Sequence, residues 1–396
     1  MPSWSLAFEG ARRELGGLTG ASKGRRAAWF GYFAVREALS TLKLIPFALR
    51  SASARSRLTK ETKETEENSV ALHSQIKYGD GGPRSLLDCY TPTQASREGT
   101  RKKFPVMIFV HGGVWSSGEL WHYSSLGEDM AREGILVFVV TYNFYPDVLV
   151  DAQISDIQDA VAWVEDHCED YGGDRSNISL AGHSSGAHLS MMATLARAGI
   201  GAPRGGRPKP PAVRSLILLA GVYDIERHYE YERYRGVHAL SAMARAHGGK
   251  ANFARLSPAK LLVSGGGERG GSTPEEIREE IKAYERERAE MRRADAPRSH
   301  PTATMAGEDS KTTAAGGAGA LPPIYLLSGL ADDVVPHYWS RELEQILRER
   351  DGGPGVHCTV YDNATHLDFI AIGNRGPQAK ADILRIRSGL LDILKS

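Results

Sequence analysis

Short apolar runs, bounded by turn-forming residues, recur along the chain. Val70–Tyr78 and Leu86–Tyr90 flank Gly79-Asp80-Gly81-Gly82-Pro83 and predict a hairpin. Further β-rich runs lie at 105–111, 135–141, 177–181, 213–220, 323–328 and 356–361. Most of the intervals read as helices. The clearest is Ile154–Val164, where apolar side chains return at helical spacing. A strand pair followed by strand–helix alternation predicts an α/β domain. Its core is a mostly parallel, twisted sheet of about eight strands with helices on both faces.

Three stretches break this rhythm. Residues 58–69, Leu58-Thr59-Lys60-Glu61 to Glu67-Asn68-Ser69, read as a polar linker. Residues 222–262 are aromatic and amphipathic and separate two predicted strands. Residues 264–320 open on Ser264-Gly265-Gly266-Gly267 and close on an Ala/Gly run, with a charged stretch from Pro274 to Arg293 between. This composition predicts a solvated helix inside a disordered loop. The division expected is therefore an N-terminal segment with linker, 1–62, and a catalytic domain, 63–396.

Composition narrows the class. In 396 residues, 41% hydrophobic content supplies a sizeable core, and a net charge of +1 argues against nucleic acid as the main partner. Cys89, Cys168 and Cys358 form no C-x-x-C and no metal spacing, which points to free thiols in a reducing compartment. Without zinc, calcium or phosphate-loop motifs, no metal and no cofactor is expected. Residues 27–49 are apolar but interrupted by Arg36, Glu37 and Lys43, and flanked by Lys23, Arg25, Arg26, Arg50, Arg55 and Arg57. That pattern suits an interfacial helix at an anionic membrane surface better than a spanning one. A helix covering the protein's own substrate pocket is the alternative, and a transit peptide the third.

The chemistry-bearing motif is Gly182-His183-Ser184-Ser185-Gly186. It follows the β-forming Asn177–Leu180 and precedes the helical Ala187–Ala193. G-x-S-x-G on a strand-to-helix turn exposes a serine hydroxyl, and the glycines permit the turn. Upstream, the strand 104–110 ends in His111-Gly112-Gly113-Val114-Trp115. The amides of Gly112 and Gly113, with that of Ser185, can form an oxyanion hole. Downstream, a strand leads into Gly329-Leu330-Ala331-Asp332-Asp333-Val334-Val335-Pro336, and the last strand into Ala364-Thr365-His366. The order Ser184, Asp332, His366 is that of the α/β-hydrolases. Asp332 is preferred as the acid by its spacing, with Asp333 as the alternative. His183 and His188 sit too close to the serine to act as its base and read as packing or hydrogen-bonding residues. In this fold, the position of residues 222–262 commonly carries a helical cap.

Finer motifs bring a resemblance. His111-Gly112-Gly113-Val114-Trp115, Tyr171-Gly172-Gly173-Asp174, Gly182–His188, Gly221-Val222-Tyr223-Asp224, Arg235-Gly236-Val237, Leu256-Ser257-Pro258 and Thr365-His366-Leu367-Asp368 resemble the isoprenylcysteine methylesterases within the carboxylesterase/lipase group. The resemblance covers about 70–262 and 321–392. It implies hydrolysis of the α-carboxyl methyl ester of a prenylated cysteine at an endoplasmic reticulum or Golgi membrane, with Ser184, Asp332 and His366 as triad. Trp115 and Tyr223 are the substrate-contacting candidates, and a cytoplasmic location is the alternative. Two of these segments, His111-Gly112-Gly113 and Gly182–His188, also resemble an arylformamidase acting on N-formylkynurenine. A broad carboxylesterase, and a hydrophobic-ligand-binding protein without catalysis, are the other readings.

Overall fold

The computed structural model describes residues 45–61, 70–92, 103–201, 212–263, 273–293, 320–350, 355–373 and 380–396. Most of the apolar segment at 27–49, part of the expected linker and the flanks of the 264–320 insertion lie outside them.

The chain runs through helix α1 (Ile45–Glu61), strands β1 (Val70–Lys77), β2 (Leu86–Pro92) and β3 (Phe104–Val110), helix α2 (Ser124–Arg132), strand β4 (Leu136–Val140) and helix α3 (Val150–His167). It continues with β5 (Gly173–His183), α4 (Ser185–Arg197), β6 (Ser215–Leu219), α5 (Ile225–Arg235), α6 (Met243–Ala246), α7 (Pro258–Val263) and α8 (Pro274–Arg293). The last elements are β7 (Ile324–Gly329), α9 (Tyr338–Glu349), β8 (Val356–Tyr361) and α10 (Ala381–Lys395).

The eight strands form one sheet in the order β1-β2-β4-β3-β5-β6-β7-β8. β1 and β2 form the expected hairpin, β2 pairs antiparallel with β4, and every later pairing is parallel. The central strands are buried on both faces. In β3, Val106, Ile108 and Val110 enter one apolar layer with Ile157 and Leu189 of the helices on that side. Met107 and Phe109 enter the other, with Leu58, Met130 and Ile386. This is why β3 reads as a continuous hydrophobic run without alternation.

The order places the site. From β3 the chain crosses to β4 on one side, then returns to β5 on the other. Crevices open at the carboxyl ends of strands where the order reverses in this way. The turns after β3 and β5 meet at that point, and the loops after β7 and β8 leave from the same sheet edge.

Two segments differ from their sequence expectation. Residues 58–61 end α1 rather than starting a linker. That helix packs on the body of the domain: Ala54 and Leu58 are buried, Phe47 meets Tyr123 edge-on, and Arg55 and Arg57 pair with Asp88 and Glu128. Residues 274–293 form the expected helix, but its solvation is corrected, because Ile277, Ile281 and Arg288 are buried. Ile277, Ile281, Tyr284 and Arg288 recur at helical spacing and form its inward stripe.

Ile108 is fully buried in the middle of the sheet. Ile108→Ala is expected to destabilise the fold by about 3 kcal/mol, read as a lowered urea midpoint.

Candidate active site

The turn between β5 and α4 holds Ser184 at φ 55° and ψ −122°. A non-glycine residue adopts such a backbone only when its surroundings enforce it. The enforcement is visible. The Ser184 amide donates to the Leu219 carbonyl at 2.9 Å, at the end of β6. A Cβ on Gly186 would lie 2.2 Å from the Val110 carbonyl oxygen, and one on Gly182 would lie 2.5 Å from that of Gly186. Glycine is therefore required at both positions, and the serine between them is left partly exposed. The Ser185 N–H heads helix α4, among the amides that have no acceptor within the helix.

The His111–Trp115 turn lies against this serine. A Cβ on Gly112 would come within 2.9 Å of the Ser184 Cβ. The His111 Nδ1–H donates to the Gly112 carbonyl at 2.8 Å, and its Nε2 accepts from the Thr141 hydroxyl at 3.1 Å. Stacking between Tyr123 and Tyr142 fixes the ring. The Gly113 carbonyl accepts from the Ser116 amide and the Ser117 hydroxyl. In a trans peptide the next N–H points the opposite way. The Gly113 and Val114 amides are thus turned away from these internal partners. Gly113, Val114 and Trp115 all have positive φ, at 141°, 53° and 57°. A Cβ on Gly113 would lie 1.9 Å from the Ser117 carbonyl oxygen.

The remaining two residues meet across the loops after β7 and β8. His366 Nδ1–H donates to Asp332 Oδ2 at 2.8 Å. Asp332 is fully buried, and its Oδ1 accepts the amides of Val334 and Val335 at 2.8 and 2.9 Å. Asp333 is exposed, and its carbonyl accepts from the Tyr231 hydroxyl. The histidine partner is therefore Asp332. The His366 carbonyl accepts from His183 Nε2–H at 2.9 Å, and the two rings lie 4.6 Å apart. His183 directly precedes Ser184, so this bond ties the His366 loop to the serine turn. With Nδ1 engaged, Nε2 is the His366 nitrogen left to serve that side.

Trp115 and Tyr223, expected at the substrate, are 2% and 1% exposed. Trp115 Nε1–H donates to His188 Nδ1 at 3.1 Å, and His188 Nε2–H donates to the Leu256 carbonyl at 2.8 Å. The Tyr223 ring packs against Gly221. Both side chains serve the framework behind the turns, and His183 and His188 are the hydrogen-bonding residues that their positions suggested. The sequence did not single out His111 as an internal brace. Its signal was a buried-type strand running straight into His-Gly-Gly.

Burial strips water from five imidazoles and disfavours their charged forms. His111 and His188 are pushed down to about 4, His228 and His247 to about 3, and His183 well below its ordinary value. An unfolded chain protonates these rings near pH 6.5, whereas the fold keeps them neutral. Below about pH 6.5 the unfolded state binds more protons, so stability falls as the pH falls towards about 4. The urea midpoint is expected to drop between pH 7.5 and pH 5. A midpoint that stays flat contradicts the neutral burial of these rings. Gly186→Ala is expected to lower the melting temperature sharply or prevent folding, because its methyl meets backbone rather than a movable side chain.

Residues 87–237 match the family model BD-FAE. A probable isoprenylcysteine alpha-carbonyl methylesterase of Oryza sativa subsp. japonica is 32% identical over 188 residues, 46% of this chain and 43% of that protein. A kynurenine formamidase of Drosophila melanogaster is 31% identical over 161 residues, 41% of this chain and 49% of that protein. The chain thus spans less than half the length of either relative. Esterase B from Lactobacillus rhamnosis aligns over 91% of this chain and 97% of its own, with a TM-score of 0.55 at 17% identity, a likeness of fold. The chain has the α/β-hydrolase fold and is similar in sequence, over less than half of its length, to a probable isoprenylcysteine alpha-carbonyl methylesterase.

Proposed function

We propose that the protein is a serine carboxylesterase working through an acyl-enzyme. The observation that carries this reading is the buried Asp332–His366 pair, tied through His183 to the strained serine turn. Ser184 Oγ attacks the ester carbonyl while His366 Nε2 takes its proton. The amides of Gly112, Gly113 and Ser185 receive the oxyanion. Asp332 fixes the imidazole tautomer through Nδ1 and stabilises the imidazolium. The tetrahedral intermediate collapses as His366 returns the proton to the leaving alcohol. Water activated by His366 then hydrolyses the acyl-enzyme.

The substrate proposed is the methyl ester of a prenylated cysteine, with methanol as the first product. Its support is the run of motifs from His111 to Pro258 together with the named methylesterase relative. A prenyl tail keeps its substrate at membranes, so we place the protein peripherally on an endoplasmic reticulum or Golgi surface. Among the described residues, no helix is long and apolar enough to cross a membrane. The second reading, a formamidase acting on N-formylkynurenine, draws on the Drosophila relative and needs the same triad.

Farnesylcysteine methyl ester and N-formylkynurenine, compared in detergent, separate the two: faster turnover of the formyl substrate sinks the methylesterase reading. Ser184→Ala is expected to abolish both turnover and labelling by a fluorophosphonate probe, and full retained activity would refute the serine mechanism. Asp332→Asn is expected to lower kcat on the order of 10⁴-fold, while Asp333→Asn leaves it close to wild type. Equal losses for the two variants would contradict the assignment of the acid.

A further inference from the structure

We propose that the inserted helix α8 is a positioning element for the acid loop, acting through Arg288; the inference rests on the esterase reading of Asp332. Arg288 is 4% exposed, and its Nε–H donates to the Leu330 carbonyl at 2.9 Å. Leu330 lies two residues before Asp332. The guanidinium is held in turn by Glu285, at 2.9 Å from Nη1. A buried arginine is costly unless its donors are used. Here one of them is spent on the backbone of the loop that carries the acid.

The rest of the helix supports this geometry. Ile277 and Ile281 are buried, and Tyr284 stacks on Tyr338 at 4.5 Å. Arg278 donates to Glu230 at 2.9 Å, and Glu280 pairs with Arg227, so α8 is also fastened to the cap helix α5. That cap helix reaches the same loop, where the Tyr231 hydroxyl donates to the Asp333 carbonyl at 3.0 Å. The loop is thus held on both sides of Asp332, at Leu330 by α8 and at Asp333 by α5. On its inner side, the Leu330 amide donates to the Tyr361 carbonyl at the end of β8. The two outer bonds fix where the carboxylate stands relative to His366. Arg288 is a positioning residue, and the insertion is a working part of the site.

Arg288→Met keeps length and removes the donors. With a short p-nitrophenyl ester, it is expected to lower kcat about tenfold or more, since a small misplacement of a catalytic group is costly, with KM unchanged. Arg288→Lys, which retains one donor, is expected to recover most of that loss. Hydrogen exchange of the 330–335 segment is expected to accelerate in Arg288→Met and not in strand β5. Unchanged kcat, or losses in kcat and KM together without rescue by lysine, would overturn the proposal. Should Arg288→Met fail to fold, Tyr231→Phe, which removes the hydroxyl that meets both the Asp333 carbonyl and the Arg288 guanidinium, is judged by kcat and by exchange of the 330–335 segment, and an unchanged value of either overturns the proposal. An inactive wild type refutes the esterase reading instead. In that case the exchange rates alone decide whether Arg288 orders the loop, with unaltered exchange overturning the inference.

Discussion

At Ser184 the backbone passes from strand to helix at φ 55°, with the carbonyl of Val110 pressed against Gly186 on one side. This crossing needs three things at once. It needs a residue without Cβ before and after the serine, a neighbouring strand ending at the same level, and an acceptor for the serine amide. β3, paired in parallel register with β5, supplies the second, with Val110 opposite Gly182. β6 supplies the third through Leu219. The strain at one residue is therefore held by three strands of the central sheet, and the sheet order that makes them neighbours also opens the crevice.

Around this crossing, histidine side chains and backbone carbonyls make several of the buried hydrogen bonds. His111 braces Gly112, His183 braces the His366 carbonyl, and His188 links Trp115 to the Leu256 carbonyl in the cap region. Each ring donates to a carbonyl, and His111 and His188 also accept a hydrogen bond through their other nitrogen. A neutral imidazole can do both, which no ammonium or ionised carboxylate can. The choice ties the rigidity of the turns to the uncharged state of buried bases. The geometry of the site and the acid sensitivity expected of the fold then share one cause.

The sequence revealed most of this through local rules. Eight predicted runs match eight strands, and the central parallel ones β3, β4 and β6 read as apolar throughout because they are buried on both faces. The serine turn was legible because its glycines are dictated by backbone contacts within a few residues and by one neighbouring strand. Asp332 and His366 were legible only by order along the chain, and their pairing is a matter of two loops converging. What the sequence hid depends on partners far away. Trp115 looks like a pocket aromatic beside two glycines, yet its indole is spent on His188, 73 residues on. The charged stretch of α8 looks solvated because Ile277, Ile281 and Tyr284 are few among many charges. The inward placement of Arg288 follows only from the position of Leu330 in space.

The same distinction separates the parts of the site. The serine turn and the glycine turn are fixed by backbone contacts that leave little room for change. Helices α5 and α8 reach the acid loop through side chains, Tyr231 to Asp333 and Arg288 to Leu330, and are joined to each other by Arg278 and Glu230. Substitutions there alter how the acid loop is held without touching the strands beneath. Helix α8, between α7 and β7, is thereby joined to the acid loop through the buried Arg288 guanidinium on the Leu330 carbonyl.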